Sequence, residues 1–263
     1  MFFNFTEIII VTFLGFAILY PAFLWIAPLK SINLAFYRFN LGLSCVTGAL
    51  GFIFFRLLNP PIIPSFYVLV WLVLLLLLTA IYWRNDDISN LALSSVPLMG
   101  LITLFQLKPI LIPMVNNIQG WLMILISSSI LASVFFTLIL GHWYLNTVHL
   151  PISLMKKSIL VLSGLLIVRF AWDLVQFQFV SYISPLGIEI SLLQFLGTFR
   201  GFLLAVALFL GIFIPLVLNI MIWRTLKLQA VQSATGLIYI SSVALLFGDL
   251  LFKFYMFSYG FLL

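Results

Sequence analysis

The chain has 263 residues, of which 65% are hydrophobic and 7% charged, and its mean hydropathy is +1.30. A soluble domain carries roughly a quarter charged residues, so a water-soluble fold is excluded; about eight spans of roughly 20 residues fill the length and leave no room for a second, soluble domain. The net charge of +6 does not indicate a nucleic-acid partner, because twelve basic residues scattered over helix ends and apolar runs form no continuous basic face.

Apolar runs broken by Pro, Asn, Gly and charge predict spans at Phe5 to Ala27, Leu34 to Leu57, Ser65 to Trp83, Ile88 to Leu107, Gln119 to Tyr144, Met155 to Phe179, Ile190 to Trp223 and Ala230 to Met256. Lipid offers no partners to backbone polar groups, and the runs lack the alternation of barrel strands. The expected fold is therefore all-α, a single polytopic transmembrane helix bundle of about eight helices over residues 1–263, in direct contact with the lipid bilayer. The first run has no basic segment before its apolar core and no small-residue cleavage site, which reads as a retained helix rather than a secretory signal. Cys45, the single cysteine, falls in the second run and reads as a packing residue. Asn90, Ser94, Ser95 and Pro97 predict that the fourth helix is kinked or packed away from lipid. The seventh run exceeds what a bilayer requires, so it should tilt, project, or bend near Pro215. No internal repeat, low-complexity linker or domain boundary is visible.

Orientation follows from the basic residues near the connections, which accumulate on the cytoplasmic side. Lys30, Arg38, Arg84, Lys156, Lys157, Arg224 and Lys227 adjoin the connections after odd-numbered helices, whereas Arg56 and Lys108 adjoin the others. This bias predicts an inner (plasma) membrane protein with both termini outside. Trp25, Trp83, Trp121, Trp143 and Trp223 fall near span ends, as an interfacial aromatic belt requires.

A charge in hydrocarbon costs about 2.5 to 3.5 kcal/mol on insertion scales, so ionisable residues well inside spans are the informative ones. Arg169 and Asp173 stand four apart in the sixth helix, and Asp249 and Lys253 repeat the arrangement in reverse order in the eighth. Each pair shares a helix face. Arg200 follows roughly ten residues into the seventh run. With alternating helix directions, these five groups are expected at comparable depth in the outer half of the bundle. Their surplus positive charge suits an anionic or carbonyl-bearing ligand held by Arg169, Arg200 and Lys253, with Asp173 or Asp249 accepting a proton as the catalytic carboxylate. The competing reading is a structural ion-pair network that holds three helices in register.

His142 and His149 flank the inner end of the fifth helix and are the only histidines. Two residues seven apart on one segment do not clamp opposite faces of one haem, which excludes a di-haem cytochrome b; interfacial placement or a proton relay remains. Neither a metal site nor a covalently bound cofactor is expected. Gln232, Ser233, Ala234, Thr235 and Gly236 open the eighth helix with small residues suited to close packing. There is no Walker A, HExxH or GxSxG pattern, and hydrolase and nucleotide-driven pump readings have no support.

Eight spans, an intramembrane set of arginine and aspartate, and no ligands for redox centres resemble the membrane-anchor subunits of the polysulfide-reductase and dimethylsulfoxide-reductase type. The resemblance is to architecture along most of the chain. It implies a subunit of a bacterial respiratory or photosynthetic electron-transfer complex that binds quinone near the outer face, beside partner subunits bearing haem or iron-sulfur centres. Two other classes fit the same residues: a small transporter or proton channel using the buried charges as its pathway, and a non-catalytic assembly or scaffold subunit.

The orientation is checked by cysteine labelling. In a Cys45→Ala background, a Lys156→Cys variant should react only with reagent applied from the cytoplasmic side; labelling from outside reverses the topology.

Overall fold

The computed structural model describes residues 4–84, 90–111, 118–147, 150–183 and 187–263. Ile88, the expected start of the fourth span, and His149 lie outside the described residues, as do the side chains of Asn90 and Lys108. Among the described residues eight helical segments are long and apolar enough to cross a membrane. The molecule is thus an all-α bundle, as its composition requires.

In chain order the first span is α1 (Phe5–Leu19), which tightens into a 3-10 stretch over Tyr20–Ile26 where Pro21 withholds its backbone donor. Next come α2 (Leu34–Leu57), α3 (Ile62–Arg84), α4 (Asn90–Leu111), α5 (Ile118–Asn146) and α6 (Ser153–Phe179). Asn33 caps α2, its side chain accepting the Phe36 N–H at 3.2 Å. Short connections make successive spans antiparallel. Inside α4, Pro97 adds no donor to the helix ladder; separately, the Trp71 indole donates to the Val96 carbonyl at 3.2 Å. That bond and the buried Leu93 and Val96 fix α4 against α1 and α3.

The seventh span departs from its sequence reading. Residues 190–201 do not continue a membrane helix. Ser181–Ile183 (β1) and Glu189–Ser191 (β2) pair antiparallel, a short α7 (Leu192–Leu196) follows, and the spanning helix begins only at Phe202. The cause is local. Ser191 and Gln194 form a reciprocal capping box that starts a new helix, and a Cβ on Gly201 would fall 1.9 Å from the Phe195 carbonyl oxygen, so only glycine permits the turn. The span itself runs as α8 (Phe202–Leu208), one π-helical turn over Phe209–Phe213, and α9 (Ile214–Lys227). Pro215, the second residue of α9, cannot donate to Gly211 within the π turn, which is the expected place and cause of the irregularity. The chain closes with α10 (Val231–Tyr259), ended by Gly260 in the left-handed conformation at φ 73°, after which Phe261, Leu262 and Leu263 fold back and are buried.

Helix contacts resolve into two rings. In one, α1 touches α2, α2 touches α3, α3 touches α4 and α4 returns to α1. In the other, α5 packs on α6 and α10, and α9 packs on both α6 and α10, leaving α6 and α10 diagonal to each other. The rings join where α1 meets α5 and α10, across a continuous core that includes Phe16, Tyr20, Phe36, Phe136, Met256 and Phe257. Edge-on aromatic contacts of Phe36 with Phe136 and Trp143 tie the rings together near one end.

Two helices come into close backbone contact where Gly248 of α10 meets Gly211 of the π turn: a Cβ on Gly248 would lie 2.3 Å from the Gly211 Cα. Gly248→Leu should therefore force α10 off its neighbour and cost about 1–3 kcal/mol or more, read as a lower melting temperature in detergent. Gly164→Ala, where nothing lies within 4 Å of the added carbon, should leave that temperature unchanged or raise it.

Candidate functional site

Hydrocarbon forces buried charges to find one another, and the second ring shows how. On α6 the Arg169 Nε donates to both carboxylate oxygens of Asp173, at 3.1 and 3.4 Å. On α10 the Lys253 ammonium donates to one oxygen of Asp249, and the Ser127 hydroxyl from α5 donates to the other. All four charged residues are buried, Arg169 and Lys253 at 3% and 2% exposure. Each pair is built by i,i+4 spacing, which stacks the two side chains one turn apart.

Arg169 joins the two pairs. Its guanidinium carbon lies 4.3 Å from the centroid of the Phe252 ring on α10, a cation–π contact across the diagonal of the ring of helices. Its Nη2 is buried without a hydrogen-bond partner in the protein. Two cavities of about 10 Å³ flank Phe252, and Ser127, Arg169 and Phe252 line both. Asp249 and Gly211 line one, and Lys253 and Leu263 line the other. Each has room for about one water molecule, next to polar atoms able to hold it. Gly211 matters here because the π turn brings backbone, without a side chain, to the cavity wall.

Arg200 is elsewhere. The expectation of five charges at one depth fails at this residue, because the capping box and Gly201 turn delay the seventh span until Phe202. Arg200 is exposed, its Nη1 donates to the Tyr182 hydroxyl at 3.0 Å, and its backbone carbonyl accepts from the Tyr255 hydroxyl. The interior set consequently balances two cations against two carboxylates, and the expected surplus of positive charge is not inside the bundle. Depth is consistent for the remaining four. Asp173 stands six residues before Phe179, and Asp249 stands ten before Tyr259, or about 9 and 15 Å below those helix ends.

A larger cavity lies on the other side of α10. Asn4, Phe5 and Ile8 of the first span, Leu203 of α8, and Leu250, Leu251 and Phe254 of α10 line an apolar groove of about 310 Å³. Arg200 precedes Leu203 by three residues but does not itself line the groove. The same helix thus presents Asp249, Phe252 and Lys253 to the interior and Leu250, Leu251 and Phe254 to the groove.

His142 is exposed at the opposite end of the bundle, its Nδ1 3.5 Å from the Tyr239 hydroxyl. Thr235 bonds to the Val231 carbonyl and lies against Gly141, and Ala234 is buried beside it, whereas Gln232, Ser233 and Gly236 are exposed. Among the described residues no group of three or more potential metal ligands occurs. Sequence reasoning missed Ser127, Phe252 and Gly211. Ser127 had a visible signal, the run Ser127, Ser128 and Ser129 inside an apolar helix; for Phe252 and Gly211, nothing distinguishes them from neighbouring apolar residues until helices are placed.

Asp249→Asn and Asp173→Asn should each strand a buried cation and cost about 3 to 5 kcal/mol, seen as loss of monodisperse protein or a lower unfolding temperature in detergent. The double variants Asp249→Asn/Lys253→Gln and Arg169→Gln/Asp173→Asn should recover most of that loss.

No family model matches the chain, and neither a curated protein nor a solved structure does.

Proposed function

We propose that this membrane-spanning bundle is a subunit of an electron-transfer complex, binding a quinone near the outer face and handling its protons through the buried charges. The observation that carries the reading is the shared helix: α10 forms one wall of the 310 Å³ apolar groove and also bears Asp249 and Lys253. A groove of that size and apolarity suits an apolar ring and the first part of its tail. Arg200, three residues before the groove-lining Leu203, would turn from Tyr182 to donate to a quinone carbonyl oxygen. Oxidation of a quinol releases two protons and two electrons. The electrons pass to redox centres of partner subunits bearing haem or iron-sulfur groups, since one cysteine and two histidines in this chain are too few to hold such centres. The protons pass toward Asp249 and Asp173, and waters in the two small cavities would link Arg169 to both ion pairs. Placement in the plasma membrane with both termini outside belongs to the same reading and rests on the basic-residue bias.

A second reading, a proton pathway that works without a redox partner, draws on the size of those cavities. They admit water and exclude larger solutes, which favours protons over a transported metabolite.

The quinone reading predicts that Arg200→Gln leaves the complex assembled but lowers quinol turnover at least tenfold, because the carbonyl loses a charged donor. Of the carboxylates, the one that takes the proton should show the same loss as asparagine. Unchanged turnover per assembled complex in Arg200→Gln, Asp173→Asn and Asp249→Asn together would sink the quinone site. Dissipation of a pH gradient by the isolated chain in liposomes, abolished by Asp249→Asn, would select the independent proton pathway.

A further inference from the structure

A further cavity, larger than the groove beside α10, has no part in the reading above. It is a groove of about 490 Å³ between α6 and α9 on the outside of the second ring, walled by Ile159, Leu160, Ile167, Leu216 and Ile220. From Ile159 to Ile167 it runs along about 12 Å of α6. Its walls change character toward one end. Trp223, Arg224 and Lys227, in the last turns of α9, close the groove there. Lys156 stands one turn before Leu160 on the same face of α6, so both walls end in basic residues.

Among the described residues those cations have no acidic partner. Among the described residues the only ion pairs are Arg169 with Asp173 and Lys253 with Asp249. Glu7 and Glu189, the other described acids, belong to the opposite end of the bundle, at the start of α1 and in β2. Midway along the groove sits one polar feature: the Asn219 Nδ2 donates to the Ser163 Oγ at 3.1 Å, while the buried Asn219 Oδ1 has no hydrogen-bond partner. Asn219 is 3% exposed and lies five residues, about 7 Å, deeper than Arg224. An apolar slot, a polar step and a cationic rim with an interfacial tryptophan reproduce, in order, the chemistry of an acyl chain, a glycerol backbone and a phosphate.

We propose that the α6/α9 groove binds an anionic phospholipid, with one acyl chain in the slot and the phosphate held by Lys156, Arg224 and Lys227. Basic residues grouped between spanning helices at a membrane surface are the known physical basis for holding such headgroups. The site is independent of the quinone reading, because it uses other residues, at the opposite end of the bundle.

Native mass spectrometry of the full chain, purified in mild detergent and offered equal phosphatidylglycerol and phosphatidylcholine, tests the assignment. Wild type should retain phosphatidylglycerol preferentially. Arg224→Gln/Lys227→Gln should lower that retention about 30-fold, since each basic residue near a headgroup contributes about a factor of five. Lys30→Gln, at a different connection, should leave it unchanged. Ile220→Trp, which fills the slot, should reduce retention while keeping all three cations. Both variants replace exposed residues, and an unchanged melting temperature in phosphatidylcholine alone shows that they fold. Equal retention of the two lipids by wild type, or undiminished phosphatidylglycerol preference in Arg224→Gln/Lys227→Gln, overturns the proposal.

Discussion

Hydrocarbon has no hydrogen bond to offer a carboxylate, an ammonium or a guanidinium, and the second ring of helices is organised around that constraint. Four charges on α6 and α10 have to meet protein groups or neutralise. Spacing of four residues lets each carboxylate meet a cation on its own helix. Pairing within a helix does not by itself hold α6 to α10, which are diagonal and make little backbone contact. The connection comes from side chains: Arg169 over Phe252, and Ser127 of α5 on Asp249. Breaking one partner would leave a charge in a medium that cannot solvate it.

The close packing of α10 follows from the same requirement. Without a hydrophobic effect between helices in lipid, association rests on dispersion contacts and interhelical hydrogen bonds, which reward small residues at contact points. Gly248 against Gly211 brings the π turn to the charged centre, and Gly141 against Thr235 does the same work at the other end of α10. The π turn is not an isolated defect. Pro215 removes a donor, the helix ladder shifts to accommodate it, and the shifted turn places bare backbone at a cavity wall.

These contacts also divide the molecule's surface by chemistry. Toward one membrane face, α1, α8 and α10 leave an apolar groove. Toward the other, α6 and α9 leave a longer groove that ends in cations. The charged centre between them holds two water-sized cavities. Both grooves and the charged centre are built from helices rather than from loops.

The sequence by itself determined that the chain is a helical membrane bundle, because hydropathy and the absence of charge over twenty-residue runs are sums that do not depend on tertiary contacts. The Arg169/Asp173 and Asp249/Lys253 pairs were legible for a related reason: i,i+4 geometry is a property of one helix. The irregularity near Pro215 was legible because proline's missing donor is covalent. Arg200 shows where such reading stops. Residues 190–201 are apolar enough to extend a span, and only the Ser191–Gln194 capping box and the contact of Gly201 with Phe195 reveal a helix start that places Arg200 at the surface. The tertiary structure alone decided that α6 and α10 are diagonal, that Ser127 and Phe252 complete the charged set, and which faces of α6 and α9 leave a groove. Those facts are relations between helices, and when every face is apolar the hydrophobic pattern carries no information about which neighbour each face meets.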